Sequence, residues 1–259
     1  MKQNLPFSTR LLFYLIAVAA PFWLNAQSGV FNPNDPVVNY NSASPPVKPG
    51  YNQVGKWVRT PKVSWNTTSF KCYYFNGLPF RLKFPKNYDS TKNYPVIIFF
   101  NGDGEYGRTP YDNEYQLALG GQVHMAAVDN GKFNGFLLYP QSQSPYWYAG
   151  SLGTVKDLLE KVMIPMNMID PFRIYIDGLS AGGQAVWQFM QTYTTLVAAA
   201  TPISAASPAY DDSVLKYRFT PVWHFQGGQD PAPLPSTSHA LGGNILKVGG
   251  NYQYTEFPS

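Results

Sequence analysis

The stretch "IYIDGLSAGGQAVW", Ile174 to Trp187, decides the fold that this sequence predicts. The β-branched and aromatic residues at its start favour a buried strand, and the residues from Ala181 onward favour a helix. Between them stands Ser180, flanked by Gly178 and Gly182 in the pattern Gly-x-Ser-x-Gly. Glycines let backbone segments approach closely, so such a strand–turn–helix holds the serine exposed on a sharp corner. This corner, a nucleophile elbow, predicts Ser180 as a catalytic nucleophile.

Strand-like and helix-like segments alternate on either side of this corner. The runs "YPVIIFFNG" and "FNGFLLYPQ" are almost wholly apolar, as in strands that are buried on both faces of a parallel sheet. "TVKDLLEKVMI" has helical periodicity, whereas "FKCYYF" and "PFRLKFP", before residue 94, predict an antiparallel beginning. The sequence therefore predicts a three-layer α/β/α sandwich with a mostly parallel mixed sheet.

Composition narrows the class of protein. The 259 residues include 44% hydrophobic and 13% charged residues, which is enough apolar material for a large core. The formal charge is only +4, and no Lys/Arg cluster indicates a nucleic-acid partner. The single cysteine, Cys72, excludes an intramolecular disulfide and a thiolate metal site. The sequence implies no metal and no organic cofactor.

Three regions differ in character. Residues 1–26 place Lys2 and Arg10 before an apolar run that ends on small Ala26, the layout of a secretory signal peptide. The run is shorter than the ~20 residues of a spanning helix, so we expect cleavage and a secreted or periplasmic bacterial protein without an integral membrane span. Residues 27–56, rich in Pro, Asn and Ser, predict an extended arm. Residues 57–259 predict the α/β domain.

Further candidates follow from the architecture around Ser180. A nucleophilic serine needs N–H donors for the developing oxyanion, and the backbone of Ala181 is one predicted donor. The loop in "FFNGDGEYG" is expected to supply the other, from Asp103 or Gly104. In the chain order Ser–Asp–His, the acid is predicted at Asp230, after the strand in "PVWHFQGGQD".

Three blocks resemble a known family: "NYPVIIFFNGDGEYG", "IDPFRIYIDGLSAGG" and "TPVWHFQGGQD…YTEFP". They are similar to the secreted esterase branch of the α/β-hydrolase superfamily, proteins described as polyhydroxybutyrate-depolymerase-like or phospholipase/carboxylesterase-like and related to prolyl oligopeptidases. The resemblance spans residues 79–259. It implies an α/β-hydrolase fold, Ser180 as nucleophile, Asp230 as acid, and an oxyanion hole formed by Ala181 and the Asp103/Gly104 region. Where the family usually has His-Gly, this chain has Asn101 before its glycine.

The catalytic histidine is the departure from the family. His124 lies far upstream, and His224 falls in the middle of a predicted strand. His239, nine residues after Asp230, is an alternative base that stays open. The family's histidine follows the "YTEFP"-like strand, so we expect the base beyond Ser259 and this sequence to be a fragment. A hydrolase that has lost its activity is the other interpretation.

The predicted function is cleavage of carboxylic esters through an acyl-enzyme on Ser180. Small esters, polyesters, feruloyl esters and acetylated polysaccharides all stay open as substrates. One alternative is a serine peptidase of the prolyl-oligopeptidase kind. Another is an inactive carbohydrate-binding homologue in which Tyr146, Trp147 and Tyr148, in "SPYWYAG", stack on sugar rings. In an esterase the same three aromatics are expected at the edge of the substrate site.

Overall fold

The structure, a computed structural model, describes residues 30–206 and 211–258. The predicted signal peptide, residues 1–26, lies outside these residues. Within the described ranges, no helix has both the length and the apolar character that crossing a membrane requires.

Strands and helices alternate over most of the described chain. The strands are β1 (Val38–Asn39), β2 (Val54–Lys56), β3 (Val58–Arg59), β4 (Phe70–Phe75), β5 (Leu78–Lys83), β6 (Tyr94–Phe100), β7 (Phe136–Pro140), β8 (Ile169–Leu179), β9 (Ala199–Ile203), β10 (Val222–Gly227) and β11 (Tyr252–Phe257). The α-helices are α1 (Gly121–Asp129), α2 (Ala149–Leu158), α3 (Ala181–Thr192), α4 (Asp211–Tyr217) and α5 (Pro235–Lys247). A 3₁₀ turn, Tyr115–Leu117, precedes α1, and a π-helical turn, Leu159–Met163, extends α2.

The main sheet has the order β11-β10-β9-β8-β6-β7-β5-β4-β2. Strands β7, β6, β8, β9, β10 and β11 run parallel to one another, and β5, β4 and β2 join antiparallel. In the parallel part, helices connect successive strands, and such crossovers are right-handed in nearly all proteins. The prediction of a mostly parallel mixed sheet with an antiparallel beginning is confirmed.

The sheet separates two apolar layers. Residues of β6 alternate between them, because successive side chains of a strand point to opposite faces. Val96, Ile98 and Phe100 face the layer that is packed by α2, α3 and α5. Phe99 faces the other layer, where α1 contributes Val128. Helices therefore cover both faces of the sheet, which makes the three layers that the sequence predicts.

The connections reverse direction between β6 and β8. From β6 the chain passes through α1 to β7 on one side, whereas from β8 it passes through α3 to β9 on the other. In open parallel sheets, ligands bind in the crevice at the carboxyl ends of two such strands. Asn101 follows β6 and Ser180 follows β8, so the fold brings the glycine-rich loop and the serine corner to this crevice.

Residues 30–56 pack against the domain. Phe31 is buried, with its ring 4.9 Å from that of Tyr73. Strand β1 pairs with β3, and β2 pairs with β4 at the edge of the main sheet. The predicted arm, residues 27–56, thus contributes an edge strand. Its three residues leave only a short row of free backbone hydrogen-bonding groups at this edge.

A buried ion network ties the first strands to the segment before the 3₁₀ turn. The Glu114 carboxylate contacts the Arg59 guanidinium and the Thr67 hydroxyl, and it lies 3.8 Å from the Arg81 guanidinium. Arg81 is fully buried and donates to the carbonyl oxygens of Phe70 and Thr67, at 2.6 and 2.9 Å. Burial lowers the pKa of Arg81, and the nearby carboxylate offsets part of the cost of burying the charged guanidinium.

We expect Glu114→Ala to lower the free energy of unfolding by about 3–5 kcal/mol, because it leaves a buried guanidinium without its counter-charge. Urea denaturation followed by tryptophan fluorescence measures the change. Glu160→Ala is the matched control, since Glu160, in the π-helical turn, pairs at 2.8 Å with Lys156 of α2 at the protein surface. That variant is expected to lose no more than about 0.5 kcal/mol. Equal losses in the two variants would contradict the role given to Glu114.

Candidate active site

Ser180 lies at a strained corner between β8 and α3. Its backbone has φ 57° and ψ −118°, a conformation that residues other than glycine rarely adopt. The Ser180 N–H donates to the Ile203 carbonyl at 2.9 Å, and its own carbonyl accepts from the Gln184 N–H at 3.0 Å. The residue is exposed to solvent. Strain of this kind at an exposed serine is the geometry of a nucleophile elbow.

The glycines on either side of Ser180 permit this corner. A Cβ added to Gly182 would lie 1.9 Å from the Phe100 carbonyl oxygen of β6. A Cβ added to Gly178 would lie 2.4 Å from the Gly182 carbonyl oxygen. The start of α3 therefore rests directly on the backbones of two strands. Ala181 is the first residue of α3. Its N–H is one of the four at the start of a helix that have no partner within the helix, and it lies at the positive end of the helix dipole.

The loop after β6 packs against this corner. A Cβ placed on Gly102 would lie 3.8 Å from the Ser180 Cβ and 3.3 Å from the Leu179 carbonyl oxygen. The next two residues, Asp103 and Gly104, are exposed. The structure thus brings the loop predicted to complete the oxyanion hole beside the predicted nucleophile.

Asn101 holds this loop in place. It is 1% exposed, and its Nδ2 donates to the Gly102 carbonyl at 2.8 Å and to Ser142 Oγ at 3.0 Å. Its Oδ1 accepts the Ser142 N–H at 3.1 Å, and its backbone carbonyl accepts the Trp147 indole N–H at 3.0 Å. These bonds fix the loop from both sides. The Asn101 amide offers both a donor and an acceptor, as the ring of a neutral histidine does.

Glu105 is a residue of this loop that the sequence analysis did not single out. Its side chain is half-buried, and its Oε2 would lie 2.9 Å from a Cβ on Gly102. Burial raises the pKa of Glu105, and the Gly102 N–H opposes that rise by bonding to the carboxylate. The carboxyl group therefore lies against the same backbone that reaches Ser180.

Asp230 follows β10 at the same edge of the sheet as Ser180. The register is continuous, since Leu179 pairs with Ile203 and Ile203 with Phe225. Strand β9 alone separates β8 from β10, and neighbouring strands lie ~4.8 Å apart. The half-buried Asp230 carboxylate accepts a hydrogen bond from Gln226 Nε2 at 2.9 Å. The Asp230 loop and the Ser180 corner therefore lie at the same edge of the sheet, with one strand between theirs.

Each of the three histidines has a partner elsewhere. His224 is buried in β10, with its Nδ1 2.8 Å from the Tyr252 hydroxyl, and burial lowers its pKa to about 4. It is a neutral core residue. His239, the alternative base, lies on α5 with its Nε2 2.8 Å from Glu256 Oε2. Within the described ranges, neither Ser180 nor Asp230 has a hydrogen bond to it.

His124 belongs to a buried polar cluster near the corner. Its Nδ1 is hydrogen-bonded to the Tyr139 hydroxyl, and its Nε2 lies 3.5 Å from Asp177 Oδ2. Asp177 precedes Ser180 by three residues on β8, and its Oδ1 is buried without a hydrogen-bond partner in the described part of the chain. Burial raises the pKa of Asp177 to about 7 and lowers that of His124, so both groups favour their neutral forms. Separate elements supply these residues, and no local motif predicts the cluster.

The three aromatic residues of the "SPYWYAG" segment differ in their exposure to solvent. Tyr146 and Tyr148 are exposed. Trp147 is buried, and its ring packs edge-on against Phe100 at 4.9 Å. The expectation that Trp147 faces substrate is therefore wrong. Its indole N–H bond to Asn101 supports the loop instead.

We expect Gly182→Ala to lower the free energy of unfolding by at least about 3 kcal/mol, because the added methyl collides with the Phe100 carbonyl. Gly243→Ala is the matched control, since a Cβ at that position of α5 meets nothing within 4 Å. That variant is expected to gain about 0.5–1 kcal/mol from helix propensity. Urea denaturation compares the two. Equal stability of the two variants would contradict the tight contact.

We expect Asp177→Asn to become more stable relative to the wild type as the pH rises. The pKa of Asp177 is raised from 3.8 to about 7 on folding, so the wild type loses stability as the pH rises between these values. Asparagine cannot ionise, so its free energy of unfolding does not fall in this way. The difference in the free energy of unfolding, variant minus wild type, should increase by at most about 4 kcal/mol between pH 4 and pH 8.5. Thermal unfolding across this range measures the effect.

Asp170→Asn is the control for that experiment, because Asp170 lies on the same strand but is only half-buried and is paired with Arg173 at 2.7 Å. It should show no such growth with pH. A pH-independent difference for Asp177→Asn would mean that Asp177 does not titrate in this window.

No protein-family model and no curated protein sequence matches the chain. Among solved structures, a thermostable esterase matches with 26% identity and a TM-score of 0.59, over 73% of this chain and 54% of that one. The chain thus spans about half the length of that esterase. A ferulic acid esterase matches with 16% identity and a TM-score of 0.55, over 70% and 84% of the two chains. The apo form of Thermogutta terrifontis esterase 2 matches with 14% identity and a TM-score of 0.51, over 73% and 83%. With this strand order and these structural likenesses, the chain has the α/β-hydrolase fold and is a member of the α/β-hydrolase superfamily.

Proposed function

We propose that this protein is a serine hydrolase that cleaves carboxylic esters. The strained, exposed Ser180 at the start of α3 is the observation that carries the proposal. A serine in this conformation points its hydroxyl out of the fold, while the N–H groups of the helix lie beneath it. The thermostable esterase, at 26% identity, supports ester hydrolysis as the reaction type.

In the proposed reaction, Ser180 Oγ attacks the ester carbonyl carbon while a histidine takes the hydroxyl proton. The backbone N–H groups of Ala181 and of Asp103 or Gly104 bind the oxyanion of the tetrahedral intermediate. The histidine then returns the proton to the departing alcohol, which leaves the acyl group on Ser180. Water attacks this acyl-enzyme by the same route, and the carboxylic acid is released.

The proposed acid is Asp230, which orients the histidine and stabilises its charged form. The end of β11 runs alongside the Asp230 loop. The Gly228 N–H donates to the Phe257 carbonyl at 2.6 Å, and Gln229 Nε2 donates to the Pro258 carbonyl at 3.4 Å.

The proposed site of action is outside the cytoplasm of a bacterial cell, after removal of residues 1–26. The basic residues, apolar run and small residue of that segment support export. Ester hydrolysis by this mechanism uses neither a metal nor an organic cofactor.

We expect a fluorophosphonate probe to label the complete protein at Ser180, because the probe mimics an ester and traps an activated serine. Ser180→Ala should abolish labelling and lower the hydrolysis of p-nitrophenyl acetate by at least about a thousandfold. Mass spectrometry of the labelled peptide and an absorbance assay measure the two effects. His239→Ala is the control, and it should leave both unchanged because His239 pairs with Glu256. Labelling that persists in Ser180→Ala, or a complete protein that is not labelled, would refute the proposal.

A further inference from the structure

A cleft opens between the tip of the β4–β5 hairpin and the first turns of α2. Its volume is about 380 Å³, within the range of small-molecule sites. Its lining residues come from the hairpin turn, the loop after β7 and α2: Asn76, Gly77, Leu78, Gln143, Ser144, Tyr148, Ser151 and Thr154.

None of these lining residues is ionisable at neutral pH. Two amides, three hydroxyls and one phenol supply the polar groups, and Leu78 is buried beneath them. An anionic ligand would find no cation among the lining side chains, and a cationic ligand would find no carboxylate. The cleft therefore fits an uncharged ligand that carries many hydrogen-bonding groups.

Some of the polar groups retain capacity for a ligand, although the Asn76 amide is already hydrogen-bonded to Asn52 at 2.8 and 2.9 Å. The hydroxyls of Ser151 and Thr154 donate to the carbonyls of Tyr148 and Gly150, at 2.9 and 3.0 Å. The Ser151 oxygen also accepts the Tyr148 N–H, so it keeps one acceptor site, and the Thr154 oxygen keeps its acceptor sites. The Gln143 amide makes only long bonds to neighbouring carbonyls, at 3.4 and 3.5 Å. A sugar hydroxyl both donates and accepts, so it matches this mixture of amide and hydroxyl groups.

Tyr148 adds an aromatic face to the rim. It is 60% exposed, and the bond from its backbone N–H to Ser151 Oγ, at 3.1 Å, fixes the chain from which the ring projects. An exposed tyrosine presents a flat apolar face together with a hydroxyl, a combination that suits the C–H face and hydroxyls of a pyranose ring.

The cleft is joined to the loop beside Ser180. Gln143 and Ser144 directly follow Ser142, which is held by Asn101 and whose carbonyl accepts the Gly107 N–H at 2.8 Å. A ligand in the cleft thus lies against the segment that anchors the loop of the proposed oxyanion hole.

We propose that this cleft binds a neutral saccharide, the sugar part of the ester that Ser180 cleaves. The assignment of the sugar as part of the substrate rests on the proposed esterase function. Amides and hydroxyls of the cleft bind the sugar hydroxyls, and Tyr148 stacks on the ring. Bound sugar positions the ester bond for attack. Binding in the cleft therefore lowers KM for sugar esters and leaves KM for small esters unchanged.

The binding test uses the complete protein carrying Ser180→Ala, titrated calorimetrically with xylotetraose, cellotetraose and trigalacturonate. At least one of the neutral oligosaccharides should bind, and the acidic one should not. Adding Tyr148→Ala should weaken binding by about tenfold or more. Tyr146→Ala is the matched control, since Tyr146 is a similarly exposed neighbour outside the lining of the cleft. It should change binding by less than about twofold.

No heat of binding from either neutral oligosaccharide at about 10 mM would overturn the proposal. Equal losses in the two tyrosine variants, or preferred binding of trigalacturonate, would also overturn it. Because Ser180→Ala protein has no nucleophile, this test is independent of the esterase proposal. Binding without labelling of the wild type would refute the esterase and keep the sugar site, and labelling without binding would do the reverse.

Discussion

The contact between the first turn of α3 and the end of β6 is the constraint on which the site depends. At Gly182 the helix backbone comes so close to the Phe100 carbonyl that no side chain fits between them. This contact aims the start of α3 at the crevice between β6 and β8, and it forces Ser180 into a backbone conformation that only surrounding structure can maintain. The glycine-rich loop then has one place to lie, across the corner. A shift of this helix by the width of one methyl group would separate serine, helix terminus and loop.

Much of the fold and of the serine corner is readable from local sequence. The "IYIDGLSAGG" block contains strand, turn and helix start in a single stretch, so the elements that make the corner are neighbours in the chain. The apolar run of β6 likewise predicts a buried strand without information from elsewhere in the chain, because a strand buried on both faces has few polar residues. Asn101 stands where the resembling family usually has a histidine, and its bonds to Gly102 and Ser142 support the loop.

The features that sequence reasoning missed depend on residues that are distant in the chain. Asp177 meets His124 only because α1 packs on the face of the sheet toward which Asp177 points. The aromatic run "SPYWYAG" predicts Trp147 at the substrate edge, but its indole N–H donates to the Asn101 carbonyl, 46 residues away. A buried partner of this kind leaves no local periodicity. The network of Glu114, Arg59 and Arg81 is hidden for the same reason, since polar residues in loops and strands predict exposure unless their partners are known.

The reversal of connections between β6 and β8 has a consequence for how the protein assembles. These two strands are hydrogen-bonded neighbours, yet the chain between them contains β7, α1 and α2. Closing so long a loop costs conformational entropy before the central contact can form, and contacts of high sequence separation slow folding. The β4–β5 hairpin, whose strands are consecutive, has no such delay. The β6–β8 pairing that forms the crevice with Ser180 therefore costs more conformational entropy to close than the hairpin does.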